Sequence, residues 1–376
     1  MPDNKPIVRL GVIGTGLAVE KLHWPALVRL RDRFEVVAFA NHTQPKAEHF
    51  SVYAGIPMKE YSADYHDLLA RDDVDTVLIS LPIPLNYSVT RDALLAGKHV
   101  ICEKPAGKDL AEAREFLDLV RQYPDRTVLI AENWFYRDDI RLARHLLDSG
   151  LIGRPHLVIW NQVSQLVPRE GEFSSTPWRH EAGYLGGPHL DAGIHHMAEL
   201  RTLCGDVTQV TGAVQDANET HGGPSDLVMT MKFASSAIGS YAASYPELEI
   251  PRQSNALQIF GTEGVFSFGH GEIRIDRPGE PTAIWRPTTG DRGYYNEFLN
   301  FHEARFEGAP LLGTTEQTWR NMQVILGGIE SAFTGQPVTI DPFPAALHPA
   351  GVPLWKPLGS DPFFDDPANL TPVADK

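Results

Sequence analysis

The stretch Ile7-Val8-Arg9-Leu10-Gly11-Val12-Ile13-Gly14-Thr15-Gly16-Leu17-Ala18 decides how the N-terminal part of the chain is read. A short apolar run of this kind reads as a strand, and it leads straight into two closely spaced glycines and a plausible helix. Gly14 would permit a tight turn, and Gly16 would let the backbone approach a pyrophosphate held at the helix N-terminus. An isolated Gly-x-Gly is often no more than a bare strand-to-helix turn. Placed after the first strand of a βαβ series, it points to dinucleotide binding. The third small residue of the full pattern, which allows close helix–strand packing, is replaced by Val19.

That series extends to about residue 132. Apolar runs at 7–13, 34–40, 76–81, 99–102 and 127–131 alternate with segments at 46–54, 65–70, 87–96 and 110–122 whose apolar residues recur at helical spacing. The runs are continuously apolar rather than alternating, which suits parallel strands covered on both faces. Gly55 and Gly97 fall where helix stops are expected. A Rossmann dinucleotide-binding domain over residues 1–132 follows. The second strand should end in an acid for the adenosine ribose of NAD, yet Asn41-His42 follow it. An asparagine can bond a ribose hydroxyl without repelling a 2′-phosphate, so the cofactor is read as NADP or NAD.

After residue 133 the rhythm changes. A helix-like segment at 138–149 stops at Gly150, and β-type runs then dominate at 156–167, 207–214, 227–233, 237–244, 257–260 and 265–268. Consecutive strands favour a large, mostly antiparallel open sheet, giving an α+β domain over 133–345 that amphipathic segments at 294–307 and 315–333 close. The Pro-rich remainder, 346–376, reads as an irregular tail.

Composition narrows the function classes. A chain of 376 residues, 42% hydrophobic and 22% charged, has apolar material for more than one domain. Its 33 Lys and Arg against 48 Asp and Glu leave a net charge of −15, with the acids dispersed, and no basic stripe suggests nucleic acid. Cys102 and Cys204 have no metal-ligand spacing and cannot build a disulfide framework, so no metal is expected and a reducing compartment fits. The few residues before the first strand leave no room for a secretory signal, and no apolar stretch approaches the roughly 20 residues that span a bilayer. The expectation is a cytoplasmic protein with neither a membrane nor a nucleic-acid partner.

Further along, Ala96-Gly97-Lys98-His99-Val100-Ile101-Cys102-Glu103-Lys104-Pro105 matches, almost without gaps, the AGKHV-x-x-EKP segment of the Gfo/Idh/MocA family, which includes glucose-fructose oxidoreductase and inositol dehydrogenase. Gly186-Gly187-Pro188-His189-Leu190-Asp191-Ala192-Gly193-Ile194-His195 resembles that family's glycine run followed by D-x-G-x-H. Trp178-Arg179, the Leu151-Ile152-Gly153 turn and Ser331-Ala332-Phe333-Thr334-Gly335-Gln336-Pro337-Val338 add to the resemblance, which covers about residues 7 to 340. Departures are Val19, Asn41, and Asn86 where a histidine is frequent after the third strand.

The resemblance implies an NAD(P)-dependent dehydrogenase or reductase acting on CH–OH groups of a sugar, inositol or related polyol, assembled as a homodimer or homotetramer through the open sheet. Lys104, Asp191 and His195 would be catalytic and contact substrate, with Tyr136 and His189 as further substrate contacts. Gly11, Gly14, Thr15, Gly16, Leu17, Asn41, His42, Leu81, Pro82, Asn86, Glu103, Lys104, Trp178 and Arg179 would meet the cofactor. Lys104 follows a strand that should end at the carboxyl edge of the parallel sheet, where such sheets bind ligands. Asp191 and His195, four apart, would share one face if the segment is helical, whereas His196 would point about 100° away and read as packing or surface. A histidine can take a proton near neutral pH. Two rival readings are a non-catalytic dinucleotide-binding sugar sensor or co-repressor, against which Lys104, Asp191 and His195 argue, and a reductase of a non-sugar carbonyl or diol.

Overall fold

In the computed structural model, the apolar runs of the N-terminal part become β1 (Val8–Ile13), β2 (Phe34–Ala40), β3 (Tyr61–Ser62), β4 (Thr76–Ile79), β5 (His99–Glu103) and β6 (Val128–Ala131). All pair in parallel, in the order β3-β2-β1-β4-β5-β6. This is the doubly wound order, whose progress reverses between β1 and β4. Every residue of β4 and β6 is buried, as strands covered on both faces require. Val77, Ile79, Val100, Cys102, Phe116 and Ile130 belong to the core on which the helices pack.

The structure describes residues 5–181, 183–218, 220–248, 255–269, 271–288, 290 and 292–373, so the outer ends of the first domain and of the tail, 1–4 and 374–376, lie outside it. The chain forms two units, Met1–Asn133 with Gly293–Trp319, and Trp134–Arg292 with Arg320–Lys376. The helix Tyr294–Phe306, expected to close the second domain, thus belongs to the first unit. Phe298 and Phe301 lie 5.5 and 6.5 Å, ring to ring, from Phe34, and His302 Nε2 sits 2.8 Å from the Pro6 carbonyl oxygen. Helical spacing announced a buried face; the aromatic contacts decide which core receives it.

In the second unit β7 (Pro155–Val163), β8 (Val207–Gln215), β9 (Asp226–Phe233), β10 (Ile238–Ser244), β11 (Leu257–Gly261), β12 (Val265–Gly269), β13 (Glu272–Asp276), β14 (Ala283–Trp285) and β15 (Val338–Thr339) form one sheet. Its order is β14-β13-β12-β11-β7-β10-β9-β8-β15. Among the described residues β7 and β10 alone are parallel neighbours. The sequence reading lacked β3, β13, β14 and β15, which are short or lie toward a sheet edge, where hydrophobic signal is weakest. On β9, Leu227, Met229, Met231 and Phe233 face inward while Val228, Thr230 and Lys232 face outward. A Cβ on Gly212 of β8 would lie 2.1 Å from the Gly328 carbonyl oxygen, so strand and covering helix touch backbone to backbone.

The C-terminal stretch is irregular apart from the helix Pro367–Leu370, yet it is fastened to the second unit. Buried Arg141 donates to the Trp355 carbonyl at 3.2 Å and pairs with Asp361, and Val373 bridges to Ile284 of β14.

Candidate active site

The glycine turn takes the form the first strand announced. Gly14 has φ +89°, and a Cβ there would meet the Ser80 carbonyl oxygen at 2.2 Å, so only glycine fits. Gly14 N–H donates to the Ala40 carbonyl at 2.9 Å, seating the turn on β2. At Gly16 a Cβ would meet nothing within 4 Å. The backbone there faces open space, as a cradle for a pyrophosphate should. Val19 is fully buried in a π-helical turn, Val19–His23, that leads into the helix Trp24–Arg29.

The remaining cofactor candidates of this unit divide by what their atoms already hold. The Asn41 amide donates to Thr15 Oγ1 and accepts from the Thr43 N–H, both at 2.9 Å, so this side chain fastens the turn to the end of β2. His42 beside it is exposed, Leu17, Leu81 and Pro82 are half-buried, and Gly11 lies inside β1 against Leu68. Glu103 ends β5 and Lys104 follows it, both half-buried, at the same carboxyl edge of the parallel sheet as the glycine turn. Asn86 is fully buried and donates to the Glu103 and Pro105 carbonyls at 2.9 and 3.1 Å, and His23 Nε2 lies 2.6 Å from Glu103 Oε1.

In the second unit, the glycine run opens a short helix, Gly187–Asp191, and a second helix spans Gly193–Cys204. Ala192 joins the two without leaving helical backbone, at φ −97° and ψ −41°: its N–H bonds four residues back to Pro188 at 2.8 Å, and His195 N–H reaches three residues back to Ala192 at 3.3 Å. The turn from Asp191 to His195 is thus helical, tightened at the three-residue hydrogen bond. Asp191 is gripped by Arg179, which donates from Nε to Oδ2 at 2.6 Å and from Nη2 to Oδ1 at 3.4 Å. The same guanidinium donates to Thr176 Oγ1 at 2.6 Å and lies 4.1 Å over the Trp178 ring. The two residues assigned to the cofactor by resemblance thus form one cluster with Asp191.

His195 stacks on Trp134, ring centroids 5.4 Å apart and planes 11° off parallel. The Arg137 guanidinium lies 4.5 Å from that indole and is itself paired with Asp139. Sequence reasoning missed Trp134; no spacing rule connects it to the D-x-G-x-H segment. His196 is buried, with Nδ1 2.7 Å from the Tyr241 hydroxyl, and burial pushes its pKa down to about 3. His189 is also fully buried, edge-on to Tyr245, and pushed down to about 4 by burial. Tyr136 sits in the core against Trp355.

Among the described residues no group of three or more His, Cys, Asp or Glu is arranged to hold a metal, and no helix is long and apolar enough to cross a membrane.

A doubly wound parallel sheet with an open glycine cradle after its first strand, and an Asp–Arg pair and a stacked histidine on a second, sheet-based unit, defines a two-domain dinucleotide-dependent oxidoreductase. The chain belongs to the Gfo/Idh/MocA family: residues 8–130 match its oxidoreductase domain with the NAD-binding Rossmann fold, and residues 140–267 match its C-terminal domain. It is 26% identical over 341 residues to an uncharacterised protein of Saccharomyces cerevisiae, covering 86% of this chain and 96% of the relative. It is 30% identical over 288 residues to the dTDP-3,4-didehydro-2,6-dideoxy-alpha-D-glucose 3-reductase of Streptomyces violaceoruber, 74% of this chain and 76% of that one. The crystal structure of an oxidoreductase from Thermotoga maritima superposes with a TM-score of 0.81 at 30% identity, covering 89% of this chain and 98% of that one.

Proposed function

We propose that this protein moves a hydride between a nicotinamide cofactor and a secondary alcohol or carbonyl of a sugar, inositol or related polyol. The observation that carries the reading is the common edge of the first unit: the open backbone at Gly16 and the half-buried Lys104 both lie at the carboxyl ends of parallel strands. The Streptomyces relative, named for reducing a dideoxy sugar, supports the substrate class.

Bound at the glycine cradle, the cofactor supplies the hydride acceptor or donor. The protein contributes orientation and proton transfer. In the oxidative direction a ring nitrogen of His195 takes the hydroxyl proton as the C–H electron pair leaves, and its stack on Trp134 fixes the imidazole plane. The Lys104 ammonium donates to the reacting oxygen, stabilising the developing alkoxide charge. Asp191, fixed by Arg179, accepts a hydrogen bond from a substrate hydroxyl. In the reductive direction the same groups return the proton.

The test is incubation of the purified protein with aldoses and inositols in the presence of NAD or NADP, and with sugar lactones and non-sugar carbonyls in the presence of NADH or NADPH, following reduced-cofactor absorbance. Turnover of at least one polyol or sugar, lost in His195→Ala, is the expected result. Turnover of non-sugar carbonyls alone would replace the substrate class, and tight cofactor binding with no turnover would replace the enzymatic reading.

A further inference from the structure

Three side chains surround the turn that carries Lys104, and one of them, His23, has no role in the reading above. We propose that His23 and Asn86 are positioning residues for Lys104: His23 fixes Glu103 on one side of it, and Asn86 fixes the backbone on both. The proposal concerns how the lysine is held, and rests on the proposed function only for why that matters.

Asn86 carries the backbone half of the arrangement. Its amide nitrogen has two hydrogens, and it stands 2.9 Å from the Glu103 carbonyl and 3.1 Å from the Pro105 carbonyl. These carbonyls belong to the residues on either side of Lys104. Asn86 is fully buried, and its amide hydrogens are spent on the turn rather than offered to a ligand.

His23 carries the side-chain half. Fully buried, it places Nε2 2.6 Å from Glu103 Oε1, a close hydrogen-bond contact. Tyr294 and Phe298 stand edge-on to the imidazole at 5.5 and 5.7 Å, with planes 87° and 90° to it, so the ring is held from other sides as well. Glu103 is the last residue of β5 and Lys104 the first beyond it, so anchoring the Glu103 carboxylate holds the strand end from which Lys104 departs.

His23 is also the last residue of the π-helical turn that follows the glycine cradle. Such turns are uncommon and are found frequently at functional sites. One hydrogen bond thus joins the segment that receives the pyrophosphate to the segment that presents the lysine.

Competitive labelling of the full-length protein with acetic anhydride, read by peptide mass spectrometry at Lys104 and at the exposed Lys46 and Lys59, tests this without any substrate. His23→Phe keeps an aromatic ring but no donor, whereas His23→Gln keeps an N–H. His23→Phe should change the Lys104 labelling rate about threefold or more, consistent with coupling between contacting residues, and leave Lys46 and Lys59 as they were. His23→Gln should restore the wild-type rate at Lys104. Glu103→Ala, at a less buried position, should reproduce the His23→Phe effect and serves if that variant does not fold. An unchanged Lys104 rate in Glu103→Ala, or equal changes at all three lysines, overturns the proposal. Wild-type turnover in Lys104→Ala would overturn the role of the lysine in the reaction, and the labelling result would still decide how the lysine is held.

Discussion

Arg179 holds the Asp191 carboxylate through two nitrogens, Nε at 2.6 Å and Nη2 at 3.4 Å, while its third nitrogen bonds Thr176 and its flat face covers Trp178. Only a planar fork makes all of these contacts at once; an ammonium on a flexible stem cannot. Arg179→Lys should therefore lose nearly as much as Arg179→Ala, about 10- to 100-fold in kcat/KM, the range for a hydrogen bond to a charged group. NADH affinity, followed by fluorescence titration, should hold in both. A loss confined to cofactor affinity would move Arg179 to the cofactor, as the family resemblance alone implies.

Neighbouring histidines should separate cleanly. His195, stacked on Trp134, is assigned the proton, and general acid–base groups contribute about 10² to 10⁴ in rate, so His195→Ala should lose turnover in that range. His196 bonds Tyr241 inside the core, and His196→Phe should cost about 1–3 kcal/mol of stability while turnover stays near wild type. Urea midpoints and kcat on both variants check the pair, and equal kinetic losses would dissolve the distinction.

The sequence made some of this legible because the signals were local. A glycine that must adopt positive φ against Ser80, and strands buried on both faces, leave marks in composition at the position itself. The grip of Arg179 on Asp191, the Trp134 platform and the His23–Glu103 bond depend on side chains that meet only after folding, and no periodicity joins them. The junction at Ala192 shows what spacing leaves open. Four residues share a face where the backbone stays helical, as it does at Ala192, but spacing does not announce the three-residue bond from His195 N–H to Ala192 that tightens this turn. The helix Tyr294–Phe306 displayed its apolar face in sequence without displaying which core it would join.

Cofactor preference should follow from the spent amide of Asn41. With its nitrogen on Thr15 and its oxygen on the Thr43 N–H, Asn41 presents no carboxylate at the end of β2, and residues 41 to 46 contain no acid. A 2′-phosphate meets no carboxylate from this stretch, and the exposed Lys46 carries the opposite charge. NADP should be accepted at least comparably to NAD. An NAD preference above about 100-fold in kcat/KM, roughly 2.7 kcal/mol, would contradict this. Asn41→Asp should shift the balance toward NAD and, by losing the donor to Thr15, also weaken the turn; cofactor titrations of both proteins separate the two effects.

The last prediction concerns stability against pH, where two buried groups pull in opposite directions. Burial pushes the Glu199 carboxyl up to about 8 from an ordinary 4.5, with Arg137 partly opposing. Between those values the unfolded chain is ionised there and the folded protein is not, so rising pH favours unfolding by up to about 1.4 kcal/mol per unit. The stabilisation is complete below the ordinary value and lost as pH climbs through the raised one. His196 and His189 act in reverse: burial holds them at about 3 and about 4, so their stabilisation is complete above the ordinary 6.5 and is lost as pH falls toward those values. Glu199→Gln resembles the protonated acid in shape and cannot ionise. The urea midpoint of the variant minus that of wild type should therefore grow as pH rises from about 5 to about 8, while the histidine limb, which runs from about pH 6.5 down toward about pH 3, is common to both proteins and cancels in that difference. Parallel midpoint curves for the two proteins across the neutral range would show that Glu199 ionises in the folded protein much as it does in the unfolded chain.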